Sequence, residues 1–128
     1  MASYPTDLRY TDKHQWLRLD GKLAVLGITE VGAEQLGAVG FVELPYPGEL
    51  FKAGELAGRV SGATSSTTIT MPFTGQINSV NKALDDGAAR VNDDPYGEGW
   101  IMRIEPGDPA AVEQLMDAAA YEAFVSAQ

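Results

Sequence analysis

Gly54-Glu-Leu-Ala-Gly-Arg-Val-Ser-Gly-Ala-Thr-Ser-Ser-Thr-Thr-Ile-Thr-Met-Pro-Phe-Thr-Gly75 is the stretch around which the chain is arranged. It reads as a β-hairpin. Glu55 to Ser61 is a half-apolar run, Gly62-Ala63-Thr64-Ser65 is small and turn-prone, and Thr67 to Met71 is rich in β-branched residues before Pro72 ends it. Two strands therefore meet at a tip near Thr64. A hairpin tip can hold a side chain out in water on a rigid support, so its residues decide what is carried there. Between Ser61 and Thr70 there is no Lys, Cys, His, Asp or Glu. The tip offers hydroxyls and backbone groups, none a good nucleophile at neutral pH.

Working outward from the hairpin, short strands and turns dominate. N-terminal to it, Leu8 to Leu19 with anchors Tyr10 and Trp16 and Lys22 to Ile28 form a second hairpin about Asp20-Gly21. Thr29 sits where an N-cap belongs, and Val31, Ala33 and Leu36 predict a short helix closed by Gly37. Val39 to Leu44 and Leu50-Phe51 read as strands about a turn at Pro45–Gly48. C-terminal to it come a strand over Gly75–Val80, a polar or single helical turn over Lys82–Asp86, and a strand over Ile101–Glu105. Between them Asn92 to Trp100 is too rich in Gly, Pro and Asp for regular structure, and reads as a shaped loop delivering Tyr96 and Trp100. Asp108 reads as an N-cap with Pro109 at the first helical position. Val112, Leu115, Met116, Ala119, Ala120 and Phe124 then predict an amphipathic C-terminal helix in two pieces.

The chain's 128 residues, 45% of them hydrophobic, predict one domain spanning 1–128 with no dividing linker. Fourteen Gly and seven Pro favour many short strands over a helical bundle. Nine basic residues against eighteen acidic ones give a formal charge of −9, which sets nucleic acid aside as a partner and favours basic protein surfaces. With no cysteine there is neither a disulfide nor a thiol nucleophile, and with His14 as the only histidine no His triad or multi-His metal site forms within one chain. No run approaches the roughly 20 apolar residues of a membrane span. The stretch from Met1 to Arg9 lacks an export or import pattern, so a cytoplasmic location is expected.

Taken in order, these pieces resemble the H proteins of the glycine cleavage system, members of the lipoyl-domain superfamily, over nearly the whole chain. Tyr10-Thr-Asp-Lys-His-Gln-Trp16 is similar to that family's Y-T-x-x-H-E-W, Leu26-Gly-Ile-Thr29 to V-G-I-T, and Gln35-Leu-Gly37 through Phe41-Val-Glu-Leu-Pro45 to Q-L-G-D-x-x-F-V-E-L-P. Asn92-Asp-Asp-Pro-Tyr-Gly-Glu-Gly-Trp100 resembles N-x-D-P-Y-G-x-G-W, and Asp117 to Phe124 the final D-A-x-x-Y helix. The resemblance implies a mainly β fold, a lipoyl-domain-like flattened β-barrel (barrel-sandwich hybrid) of two sheets with short helices and a C-terminal helix. It also implies a non-catalytic carrier. H proteins bear a lipoyl group on a lysine at a hairpin tip, which takes an aminomethyl group between the decarboxylase, aminomethyltransferase and lipoamide dehydrogenase components.

The departure falls at that lysine. Gap-free alignment on the family's G-x-V-E-S-V-K-A-x-S-D-L-Y-A-P-V-S-G puts Ser61 on the glutamate, Thr64 on the lysine and Thr68 on the aspartate, while Gln15 stands on the glutamate of H-E-W. A threonine hydroxyl gives at best an ester where a lysine amine gives an amide, so no lipoyl cofactor is expected. The chain's four lysines, Lys13, Lys22, Lys52 and Lys82, all lie outside the apex, and each reads more simply as a solvated charge than as a displaced acceptor.

The expected reading is a non-enzymatic H-protein-like module that binds protein partners resembling glycine cleavage components or a lipoate-handling enzyme, or presents a substrate to one. Its contact face is expected at the apex (Ser61, Gly62, Ala63, Thr64, Ser65, Ser66) and in a cleft or partner-binding set of His14, Gln15, Thr68, Asn92, Asp94, Tyr96 and Trp100. One alternative is a genuine carrier with its arm on another residue or on a hydroxyl of Thr64–Thr68. Another is reuse of the vacant cleft for a small molecule. The acidic group Asp85, Asp86, Asp93, Asp94 and Glu98 lacks calcium-loop spacing and reads as a solvated rim.

Overall fold

Alternation along Gln15–Asp20 sends Trp16 to one side of a strand and Leu17 to the other, and both are fully buried, so this strand has a core on each face. The computed structural model describes residues 5–108 and 110–127. Met1 to Tyr4 of the N-terminal stretch and Pro109, the expected first helical residue, lie outside the described residues. In chain order come β1 (Arg9–Tyr10), β2 (Gln15–Asp20), β3 (Leu23–Ile28), α1 (Glu30–Leu36), β4 (Val39–Glu43), β5 (Leu50–Phe51), β6 (Leu56–Gly62) and β7 (Ser66–Thr70). They are followed by β8 (Gly75–Val80), α2 (Ala83–Asp86), α3 (Arg90–Asp93), β9 (Met102–Pro106), α4 (Ala110–Glu113) and α5 (Ala118–Ser126).

The strands build two antiparallel sheets, one of six strands ordered β1-β2-β3-β9-β8-β5 and one of three ordered β4-β6-β7. β2 and β3 close through Gly21, whose φ of 64° is the left-handed backbone that a two-residue hairpin turn requires. The main core lies between the sheets, where Leu17, Leu26, Val60, Ile69, Ile77 and Ile104 are all at most 1% exposed. This is the two-sheet, mainly β architecture with short helices and a C-terminal helix that the resemblance implies.

A second core sits on the other face of β2 and β3. Leu8, Tyr10, Trp16, Val25 and Tyr121 form it, with Tyr96, Trp100, Met116 and Phe124 packed around them. The Tyr10 and Tyr121 rings stack at 4.6 Å and 8°. Trp16 lies across Gly27, where an added Cβ would come within 2.4 Å of the indole ring, so only glycine leaves room for the tryptophan. This core fixes α5, whose N-cap Asp117 accepts from the Ala120 N–H at 2.8 Å.

Local structure differs from the sequence reading in two respects: Leu115 and Met116, expected on the C-terminal helix, lie between α4 and α5, where Met116 exchanges main-chain hydrogen bonds with Tyr10. Asn92 and Asp93 belong to α3 and not to an irregular loop, because Ala88 and Ala89 start a turn in which the Asp94 N–H donates to the Arg90 carbonyl at 2.9 Å. The turns that follow, from Asp94 to Trp100, are irregular as expected. No helix among the described residues is long and apolar enough to cross a membrane.

Candidate functional site

The last carbonyls of α1 have no partner within the helix and must find donors elsewhere. The hairpin tip supplies them. Thr64 and Ser65 N–H groups donate to the Leu36 carbonyl at 2.9 and 3.3 Å, Ser65 Oγ donates to the Gln35 carbonyl at 3.0 Å, and Ala63 N–H reaches the Ala38 carbonyl at 3.0 Å. The approach is so close that a Cβ on Gly62 would lie 2.2 Å from the Leu36 oxygen. Gly37, with φ of 74°, turns the chain beneath Thr64, whose Oγ1 occupies the space a side chain there would need. Main-chain groups thus fix the tip, and the Thr64, Ser65 and Ser66 side chains stand exposed.

His14 stands beside this tip in a left-handed backbone conformation, φ 60°, unusual for a residue with a side chain. Its Nδ1 lies 2.7 Å from the Tyr121 hydroxyl, which lies 2.8 Å from Thr29 Oγ1, and Thr29 Oγ1 accepts from the Gly32 N–H at 3.2 Å as the N-cap of α1. Thr29 is fully buried. Thr29 Oγ1, the Tyr121 hydroxyl and His14 Nδ1 thus form one hydrogen-bonded chain that ties the His14 turn to α1 and α5. Burial lowers the His14 pKa below its ordinary value, against a smaller upward pull from Asp12.

Gln15 is fully buried and faces β7. Its side-chain amide donates to the Thr70 carbonyl at 2.8 Å and accepts from the Thr70 N–H at 3.0 Å. It substitutes for a neighbouring strand at the open edge of β7.

Lys13, His14, Gln35, Ser65, Ser66 and Thr67 line a cavity of about 120 Å³ between the β1–β2 turn, α1 and the hairpin, floored by Ile28, Gly32 and Leu36. Larger grooves include one of about 380 Å³ at the base of β7 and one of about 580 Å³ at the far edge by β5.

The remaining expected site residues fall into other neighbourhoods. Asn92 braces the end of α1, accepting from Val39 N–H at 2.8 Å and donating to the Gly37 carbonyl at 2.8 Å. Asp94 closes its own turn by accepting from Glu98 N–H at 3.0 Å. Tyr96 accepts from Glu30 N–H at 3.2 Å and packs on Trp16, and Trp16 Nε1–H donates to the Pro95 carbonyl at 2.8 Å. Trp100 lies under the Arg103 guanidinium, 4.2 Å from the ring centre. Thr68, half-buried on β7, pairs across to Arg59, and Ser61 to Ser66. The structure gathers His14, Ser65 and Ser66 around one cavity, sets Asn92 against the end of α1 near the tip, and packs Tyr96 and Trp100 on the second core. Gln35 and Tyr121 take part without having been assigned a role from the sequence, Lys13 had been read as a solvated charge, and Thr29 had been read only as the N-cap it is. Thr29 and Tyr121 are 92 residues apart, and no local pattern links them.

Residues 8–128 match the family model described as glycine cleavage H-protein. A glycine cleavage system H protein of Anaeromyxobacter sp. (strain K) is 47% identical over 124 residues, covering 97% of each chain. One from Bacteroides thetaiotaomicron is 41% identical over 124 residues, covering 97% of this chain and 98% of its own length. The crystal structure of a glycine cleavage system H protein from Mycobacterium marinum superposes with a TM-score of 0.86 at 36% identity, covering 95% of this chain and 98% of that one.

Proposed function

The chain belongs to the glycine cleavage H-protein family, and on that premise we propose that it acts as a non-catalytic H-type module whose hairpin bears no lipoyl arm. Its partners in this reading are enzymes that recognise the H-protein surface, such as glycine cleavage components or a lipoate-handling enzyme. The tip, the His14 turn and the Asn92–Trp100 segment make up the contact face. The observation that carries the reading is chemical. An amide-linked arm needs a primary amine, and the hairpin from Ser61 to Thr70 contains only hydroxyls, an isoleucine, small residues and main-chain groups. Thr64, the tip residue equated with the acceptor, is held by its backbone and supplies only a hydroxyl.

A second reading is a working carrier whose arm hangs from another residue. The comparisons favour it over the arm-less one, because relatives that match this chain end to end are named as H proteins. The deciding experiment is the intact mass of the protein purified from its own host, with peptide mapping from Arg59 to Lys82 and of the segment containing Lys13. The bare sequence mass supports the arm-less module. An added lipoyl, pantetheinyl or phosphoryl mass overturns it and identifies the acceptor.

A further inference from the structure

In a chain with eighteen acidic residues, the cavity under the hairpin tip is lined by none of them. The polar residues that line it are instead Lys13, His14, Gln35, Ser65, Ser66 and Thr67. We propose that this cavity is a binding site for a small oxyanion, the carboxylate or phosphate head of a ligand, held by Lys13, His14, Gln35 and Ser66.

The donor inventory supports this assignment. Lys13 forms no ion pair among the described residues, and its ammonium provides three N–H donors with no acceptor function. His14 Nδ1 is engaged with the Tyr121 hydroxyl at 2.7 Å, and Nε2 has no partner among the described residues. Ser66 Oγ and the Gln35 side chain have no partner among the described residues, and each has a proton to give. Ser65 differs, because its proton is already committed to the Gln35 carbonyl. A cationic ligand would find no carboxylate here, whereas an oxyanion meets up to four donors, one of them charged. Asp12 does not line this cavity but borders the neighbouring groove, which Lys13 also lines, and its charge reaches His14. The volume of about 120 Å³ admits a carboxylate or phosphate head and leaves the rest of a larger ligand outside. The site does not depend on which reading of the hairpin holds, since it uses no covalent arm.

The test is a titration of ¹⁵N-labelled full-length protein at pH 7 and constant ionic strength, followed by amide and His14 ring shifts. Sodium acetate, inorganic phosphate and methylammonium chloride are the three probes. The expected result is saturable shifts at Lys13, His14 and Ser65–Thr67 with acetate or phosphate, whichever head fits, and none with methylammonium. K13A, on an exposed turn, should weaken binding at least tenfold and S66A severalfold, while K82A leaves it unchanged. Absence of saturation with both anions, equal binding of methylammonium, or K13A binding like the wild type would each overturn the assignment.

Discussion

Replacing Gln15 by glutamate changes one atom, from a group that donates to the Thr70 carbonyl to one that does not. Glutamate has two ways to occupy the buried position. Ionised, it turns a carboxylate oxygen toward that carbonyl, leaving the acceptor unsatisfied at about 1–3 kcal/mol and adding charge burial. Protonated, its O–H restores the bond, and the cost at pH 7 is that of holding a proton on a group of ordinary pKa ~4.3, or about 1.36 × (7 − 4.3) ≈ 3.7 kcal/mol at most. The cheaper route sets a loss of about 2–4 kcal/mol at pH 7. On the protonated route the folded-state pKa is raised, so stability is retained at low pH and lost as pH rises. Between pH 5.5 and 7.5 the deficit should grow by up to ~2.7 kcal/mol, two units at 1.36 each. Urea unfolding of wild type, Gln15→Glu and Gln15→Leu at both pH values measures this. The leucine variant, which strands both Thr70 groups, should show a loss that does not change with pH. A glutamate variant within about 0.5 kcal/mol of wild type at pH 7.5 would refute the claim that the amide completes the β7 edge.

Three further outcomes follow from the geometry. Thr64→Lys should fold with little change in stability, because the side chain is exposed, yet be lipoylated poorly by a lipoate ligase because Ser61 and Thr68 are also neutral; efficient modification by mass spectrometry would show that these flanks do not matter. Burial lowers the His14 pKa, so its contribution to stability is present above pH 6.5 and lost as pH falls through the lowered folded-state pKa. His14→Asn, in a residue type that tolerates positive φ, should be less stable at pH 7.5 and lose part of the wild type's decline in urea midpoint toward pH 5.5; an unchanged slope would show that His14 does not carry that decline. Gly27→Ala should cost about 1–3 kcal/mol by forcing the Trp16 indole aside, read as a lower Tm with altered tryptophan fluorescence, and wild-type behaviour would contradict the packing.

The strands and turns were legible because their signals are local. Asp20-Gly21, Thr29 with Gly37, and the runs on either side of Thr64 each announce their structure within a few residues. α3 was not, because Asn92-Asp-Asp-Pro reads as a loop until the preceding Ala88-Ala89 turn is counted with it. The candidate site was legible in outline only. His14 and the apex hydroxyls could be picked out by type, but Gln35 comes to the same cavity only through the packing of α1 against the hairpin, and Lys13 through the β1–β2 turn it shares with His14. The roles of Gln15 and Asn92 were hidden for a physical reason. Polar residues in a motif look like contacts for a partner, and here both are spent on the protein's own backbone.

The hairpin tip terminates α1 with main-chain N–H groups, donors that all residues but proline possess. Its geometry is therefore largely indifferent to which side chains sit on Thr64 and Ser66, much as a socket is indifferent to the bulb. Chemistry at the apex can be exchanged, a charged amine for a hydroxyl or the reverse, without renegotiating the fold beneath it. Such a position is one where a protein can change what it presents to its surroundings while its architecture stays the same.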